Sequence, residues 1–309
     1  MNKHKKIFLA GHNGLAGAAI LESLKHAGYT NILTADRKDL DLTSQKQVEA
    51  FFLNHKPEIT ILSAAKVGGI NANISYPAQF LYENLAIQNN IIHFSYKYGV
   101  NYFIFLSSSC IYPRECIQPM KEEHLFTGLL EPTNEGYALA KISGMKMLEY
   151  YKKQYGFVST SLIPCNLYGP KEKFDLQHSH VLSALVKRFS DAKKEDKEYV
   201  ELWGDGSAKR EFMHVTDMSK GVLFCLENNV SHAYFNLGPG VDISIKELAS
   251  LIKVKLNYKG EIQWDTSKPN GMPRKCMDVS KMKGIGFNPK VKLETGIEEM
   301  ISSYNSQYL

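Results

Sequence analysis

The sequence predicts an α/β fold: a doubly wound parallel sheet with a smaller C-terminal α/β lobe. Two observations lead there. A short apolar run, Lys6-Ile-Phe-Leu-Ala10, breaks into the glycine turn Gly11-His-Asn-Gly14-Leu-Ala-Gly17 and then into a helical pattern through Ile20, Leu21 and Leu24. Up to Pro164, further apolar runs of strand length alternate with helical stretches, which implies right-handed crossovers between parallel strands. With 309 residues and 44% hydrophobic content, the chain can bury one large domain or two joined lobes.

After the glycine turn, a second strand is expected at Ile32-Leu-Thr-Ala35, ending at Asp36-Arg37. A helix from about Gln45 to Asn54 leads to a third strand, Ile59–Leu62, and a long helix near Phe80–Tyr98 leads to a fourth, Tyr102–Leu106. A helix bearing Tyr137 and Lys141 precedes a fifth strand, Ser159–Ile163. Beyond Pro164 the alternation loosens, with helices expected at His180–Ala192 and Ile245–Leu256 and strands at Val200–Leu202 and Ile262–Trp264. The run Ala233–Leu237 is a candidate to return to the sheet. Residues 1–170 are therefore read as a dinucleotide-binding domain, with a return near 214–240, and residues 171–309 as a substrate lobe.

Composition excludes several function classes. A net charge of +5, with dispersed lysines, gives no basic patch for nucleic acid and suits a small anionic substrate better. No apolar run reaches the roughly 18–20 residues that span a bilayer, and no signal-peptide core precedes the first strand, so the expected location is cytoplasmic. Five scattered cysteines without a Cys-x-x-Cys spacing read as reduced thiols, with no metal site.

The glycines carry the first chemical signal. In a Rossmann-type turn, Gly11 permits the tight bend, Gly14 lets the backbone approach a pyrophosphate, and Gly17 allows close helix packing. Asp36, at the end of the second strand, would bond a ribose 2′-hydroxyl, whereas Arg37 beside it favours a 2′-phosphate, so NADP(H) and NAD(H) both stay open. Asp36 also fits a simple turn cap. Tyr137 and Lys141 supply the second signal, since residues four apart share one helix face. A phenol of pKa about 10 needs roughly 4 kcal/mol of differential stabilisation to titrate near 7, which a nearby ammonium helps to provide. Taken alone, the pair also fits a solvated helix face.

Five segments add specificity: Ala64-Ala-Lys-Val-Gly-Gly-Ile70, Ser107-Ser-Ser-Cys-Ile-Tyr-Pro113, Glu131-Pro-Thr-Asn-Glu135, Asn166-Leu-Tyr-Gly-Pro170 and Arg210-Glu-Phe-Met-His214. Together they resemble the GDP-L-fucose synthase branch of the extended short-chain dehydrogenase/reductase family, over nearly the whole chain. The resemblance implies a Ser108–Tyr137–Lys141 triad and an NADPH-dependent reduction at C4 of a GDP-linked 4-keto-6-deoxy sugar. Ser108 would bond the carbonyl, Tyr137 would protonate the alkoxide, and Lys141 would hold the nicotinamide ribose while lowering the tyrosine pKa. It further implies a Cys110–His180 pair that epimerises C3 and C5, whose protons are acidic because they lie alpha to the ketone.

Cofactor contacts would extend from the glycines to Asn13, Leu15, Ala64 and Ala65, and on to Pro164, Asn166, Leu167 and His180. The sugar nucleotide would meet Asn166, Val181, Lys187 and Arg188, then Trp203, Arg210 and Lys283, with arginine suited to pyrophosphate by its planar fork. A homodimer built on the two long helices is also implied. Four positions depart from the family pattern: Asn13 replaces a familiar arginine, Asp36 a neutral residue, and Gly136 and Ser183 replace prolines expected to flank the sugar pocket. Two alternatives stand beside the bifunctional enzyme. One is a C4-reductase acting on a GDP-4-keto-heptose already epimerised elsewhere, and the other is a non-catalytic nucleotide-binding scaffold.

Overall fold

The computed structural model describes residues 2–172, 174, 181–231, 234–268 and 271–308. In the first part of the chain β1 (Ile7–Ala10), α1 (Leu15–His26), β2 (Ile32–Leu33), α2 (Gln45–His55), β3 (Ile59–Leu62), α3 (Ile70–Ser75), α4 (Pro77–Lys97), β4 (Tyr102–Leu106), α5 (Glu135–Tyr155) and β5 (Ser159–Pro164) follow one another. The remainder carries β6 (Asn166–Tyr168), α6 (Val181–Lys194), β7 (Tyr199–Trp203), β8 (Lys209–His214), α7 (Val215–Glu227), β9 (Tyr234–Leu237), β10 (Asp242–Ser244), α8 (Ile245–Leu256), β11 (Glu261–Asp265), β12 (Arg274–Lys275), α9 (Ser280–Gly284) and α10 (Leu293–Tyr308).

The central sheet runs β2-β1-β3-β4-β5-β9, with every neighbouring pair parallel. β1, β3 and β4 are buried along their whole length, as a parallel sheet covered by helices on both faces requires. β2 stops at Leu33, two residues short of the sequence expectation, because it pairs only with β1 and only through Ile32 and Leu33. β9 returns to the sheet beside β5, so its Phe235 and Leu237 join the main core with Met218, Val222 and Cys225 of α7.

A second apolar core gathers Leu182, Val186 and Phe189 of α6, Leu248 and Ile252 of α8, and Ile297 and Met300 of α10. Beside it lie two small sheets, β10-β8-β12 with β6 attached to β8, and β11-β7. The expected short strands at 200–202 and 262–264 are thus one parallel pair, each longer by a residue at both ends. The sheet around β8 was not legible. Its strands are two to six residues long and carry no two-residue alternation.

Helices α4 and α5 approach closely because two glycines of α5 face α4. A Cβ on Gly144 would come within 2.9 Å of the Gln88 amide carbon, and one on Gly136 within 2.8 Å of the Pro77 carbonyl oxygen. Gly136 therefore packs on the first turn of α4, and its lack of a side chain serves helix packing there. The Gln88 amide completes the contact by donating to the Ala140 carbonyl at 2.5 Å.

Glu211 ties β8 to the segments that follow β9 and β12. Only 1% exposed, its carboxylate accepts hydrogen bonds from the Gly240 amide at 2.7 Å and the Met277 amide at 2.9 Å. Burial pushes its pKa up to about 7; the two amides and Lys283 pull it down, while Asp242 raises it. A carboxyl raised in the folded state binds a proton on folding, so its contribution is full below about pH 4.5 and is lost as pH rises through about 7. Over that window, the slope of unfolding free energy with pH in urea titrations is expected to flatten in Glu211→Gln, removing up to about 3 kcal/mol of pH dependence. Parallel curves for the two proteins would refute the assignment.

Candidate active site

The sheet's carboxyl edge gathers most of the residues singled out above. At the β1–α1 turn, Gly11 adopts φ +93°, and a Cβ there would lie 2.5 Å from the Ala64 amide nitrogen. A Cβ on Gly17 would lie 2.0 Å from the Gly11 carbonyl oxygen, so neither position tolerates a side chain. Gly14 donates to that same carbonyl at 3.2 Å, and no side chain caps α1, whose first amides stay available to an anion. Ala64 and Ala65 follow β3 on the opposite wall. This cradle fits a dinucleotide pyrophosphate. Leu15 begins the helix, Pro164 ends β5, and Asn166 and Leu167 lie on β6, where the Asn166 side chain donates to the Glu211 carbonyl at 2.8 Å.

Asp36 sits above the turn, its Oδ1 accepting from the Asn13 amide at 2.6 Å and lying 3.5 Å from His12 Nε2. Arg37 is 79% exposed and lies 3.8 Å from Glu83, which is also bonded by Lys66 at 2.7 Å.

The residues expected to form the triad lie around the end of β4. Ser108 Oγ accepts from the Cys110 amide at 3.4 Å, and Ser107 Oγ beside it is buried with no hydrogen-bond partner among the described residues. Lys141 is 3% exposed, donates to the Leu106 carbonyl at 2.8 Å and lies 5.8 Å from the Tyr137 ring centre. The Tyr137 ring packs edge-on against Phe80 at 6.5 Å.

Burial, reinforced by Cys110, pushes the Tyr137 phenol above its usual range. Lys141 donates to a carbonyl, and burial brings its own pKa down to about 8, with Cys110 opposing. The pair thus holds a protonated phenol at neutral pH, the form needed to give a proton to an alkoxide. Cys110 is likewise buried, and burial raises its thiol; Lys275, Ser108 and Lys141 pull it back.

Lys275 was missed by sequence reasoning. It lies on β12 opposite Arg210 of β8, and its ammonium, pushed down by burial, is the main charge acting on Cys110. In sequence it sits in Pro273-Arg-Lys275, which reads as solvated charge; only the buried Cys276-Met277 that follows hints otherwise.

The remaining anchors divide. Arg210 bonds the Lys209 and Met272 carbonyls at 2.8 and 2.6 Å, leaving its NH2 group outside those contacts. Lys283 Nζ stands close to Gly240, where a Cβ would lie 3.7 Å away. Trp203 ends β7 with 59% of its surface exposed, and Val181 opens α6. Lys187 is engaged within its own lobe, bonding Asp191 at 2.9 Å and Tyr304 at 3.0 Å, and Arg188 donates to the Glu201 carbonyl at 3.0 Å. His180 lies outside the described residues. Among those described, no cluster of metal-ligating side chains occurs and no helix is long and apolar enough to cross a membrane.

Replacing Lys275 with methionine removes the cation that acts most strongly on Cys110. The Cys110 thiolate population at a given pH is expected to fall about ten-fold, as for loss of one close positive charge. Ultraviolet thiolate titration, taken as the difference from Cys110→Ser, reads it; an unshifted midpoint would separate the two residues.

Residues 7–238 match the family model described as the NAD dependent epimerase/dehydratase family. A putative GDP-L-fucose synthase 2 from Arabidopsis thaliana is 47% identical over 98% of this chain and 93% of its own length. Among solved structures, a GDP-6-OMe-4-keto-L-xylo-heptose reductase from C. jejuni superposes with a TM-score of 0.93 at 36% identity, covering 99% of both chains. A GDP-mannoheptose C4 reductase from Campylobacter jejuni, solved with NADP bound, gives 0.91 at 37% identity over 99% of each. A glycine cradle, a serine–tyrosine–lysine cluster and relatives aligned end to end make the chain a member of the NAD dependent epimerase/dehydratase family.

Proposed function

We propose that the protein is an NADP(H)-dependent oxidoreductase that reduces the C4 ketone of a GDP-linked 4-keto-6-deoxy sugar. The observation that carries this reading is the cluster of Ser108, Tyr137 and Lys141 at the end of β4, on the same sheet edge as the glycine cradle. Relatives named as GDP-L-fucose synthases and GDP-heptose reductases support the substrate class.

The nicotinamide, when bound, supplies hydride to C4. The Ser108 hydroxyl donates a hydrogen bond to the ketone oxygen, and the Tyr137 phenol, kept protonated by its burial, delivers the proton to the alkoxide. Lys141 stays largely cationic at neutral pH, offsets the phenolate left behind and orients the nicotinamide ribose. Arg210 and Lys283 hold the diphosphate end of the substrate, with Trp203 bordering the nucleotide.

Cys110 and His180 act before reduction, one removing and one returning protons at C3 and C5. The buried thiol form suits Cys110 to proton donation. A second reading, reduction alone on a heptose epimerised elsewhere, draws support from the two Campylobacter structures named as reductases. The enzyme works in the cytoplasm as a homodimer through α4 and α5, supplying surface-glycan synthesis.

Tyr137→Phe is expected to lower turnover of a GDP-4-keto-6-deoxy sugar roughly 10²–10⁴-fold while dinucleotide affinity holds. Near wild-type turnover would remove Tyr137 from the chemistry. Reduction in deuterated water places deuterium at C3 or C5 of the product only if epimerisation is retained. Its absence from both, with substrate not previously exchanged, would leave the reductase-only reading.

A further inference from the structure

Proton exchange through Cys110 changes the charge on its sulfur, whereas hydride transfer to C4 does not. A thiol that gives a proton to C3 or C5 leaves a thiolate in a buried setting, where a charge without a partner is costly. Lys141 is committed to the Leu106 carbonyl and acts on Cys110 less than Lys275 does. The groups acting on the thiol are Lys275, Ser108 and Lys141, and the thiol in turn acts on Tyr137; those acting on Lys275 are Cys110, Arg210, Cys165 and Glu131.

A rigid frame presents Lys275 to this thiol. Successive side chains of a strand leave opposite faces, and on β12 the exposed Arg274 pairs with Asp242 at 2.5 Å, which sends Lys275 to the other side. The chain that leaves Cys110 doubles back along the same segment. The Met120 amide donates to the Cys276 carbonyl at 2.8 Å, the Asp278 amide to the Met120 carbonyl at 2.8 Å, and the Cys276 amide to Gln118 Oε1 at 2.9 Å. Tyr112, two residues past Cys110, donates to Asn236 Oδ1 at 2.6 Å, and the Asn236 amide donates to the carbonyls of Met120 and Asp278 at 2.9 and 2.8 Å.

The ammonium held by this frame forms no ion pair with a carboxylate among the described residues. Glu131 acts on it less than Cys110, Arg210 or Cys165 does, and is engaged by the Thr133 hydroxyl at 3.1 Å and by Arg114 at 3.7 Å. Arg210, opposite on β8, adds a like charge. A cation set between a thiol and a second cation, with no carboxylate of its own, matches an anion that forms during turnover.

We infer that Lys275 is a positioning residue for the Cys110 step of C3/C5 proton exchange, its ammonium offsetting the thiolate left on sulfur, and that it takes no part in hydride transfer at C4. In that step the S–H bond breaks as the C–H bond forms at the enolate carbon, and the S–H electron pair stays on sulfur until solvent returns a proton. The inference rests on the epimerase reading of Cys110 and deepens it.

Two assays on the full-length protein test it. Deuterium wash-in at C3 and C5 of a GDP-4-keto-6-deoxyhexose, followed by NMR with NADP+ present, reads exchange without reduction. Oxidation of GDP-L-fucose by NADP+ reads hydride transfer in reverse without exchange. Lys275→Met should slow wash-in about ten- to a hundred-fold and move the Cys110 limb of its pH profile to higher pH, because losing the cation raises the thiol. Lys275→Arg keeps the charge and should recover wash-in to within about ten-fold of wild type. Reverse hydride transfer should change less than about three-fold in both variants. Equal losses in the two assays, an unmoved limb, wild-type wash-in in Lys275→Met, or no rescue by arginine would each overturn the inference and leave the epimerase reading standing. A wild type that washes in no deuterium would overturn both, and reverse hydride transfer would still uphold the reductase. If Lys275→Met fails to fold, Lys275→Gln carries the same expectations.

Discussion

The hydrogen bond from the Lys141 ammonium to the Leu106 carbonyl is the constraint on which the site depends. A buried cation is costly unless it is paired or well solvated by dipoles, and here the dipole belongs to the last residue of β4. That single contact ties α5, which carries Tyr137, to the strand whose extension carries Ser108 and Cys110. The helix cannot slide or turn without stranding the charge. Close seating of α4 on α5 through Gly136 and Gly144 removes the remaining freedom, because any side chain there would enter the partner helix.

The same burial sets the resting protonation states. Desolvation disfavours charge on every group it encloses, so the phenol and thiol are pushed up and the lysine down. Each shift leaves the site closer to neutral than its composition implies. A reduction that generates an alkoxide then finds a proton already in place on the phenol, and the lysine charge is retained to balance the tyrosinate.

How much of this was legible depended on range. The glycine turn, the Tyr137–Lys141 spacing and the serine run before Cys110 are local patterns, and the parallel sense of the first five strands follows from alternation alone. Lys275 and Glu211 were invisible because each acquires its setting from contacts across more than sixty residues, Lys275 opposite Arg210 in a strand pair and Glu211 accepting from the Met277 amide. Lys187, a free-looking cation in sequence, bonds Asp191 one helical turn away and Tyr304 of the last helix. The corrected end of β2 has a similar origin, since pairing with one neighbour limits an outer strand more than its own apolar residues do.

The return of β9 to the central sheet has a consequence for how the chain must be made. β5 ends at residue 164, yet its outer neighbour begins at 234, after the chain has already laid down α6, β7, β8 and α7. During synthesis the nascent sheet therefore waits with an open hydrogen-bonding edge along β5, the kind of edge that recruits stray strands. The two cores cannot mature one after the other as independent beads. Residues bound for the second core must emerge before the first is sealed, because α6, β7 and β8 precede β9 in the chain.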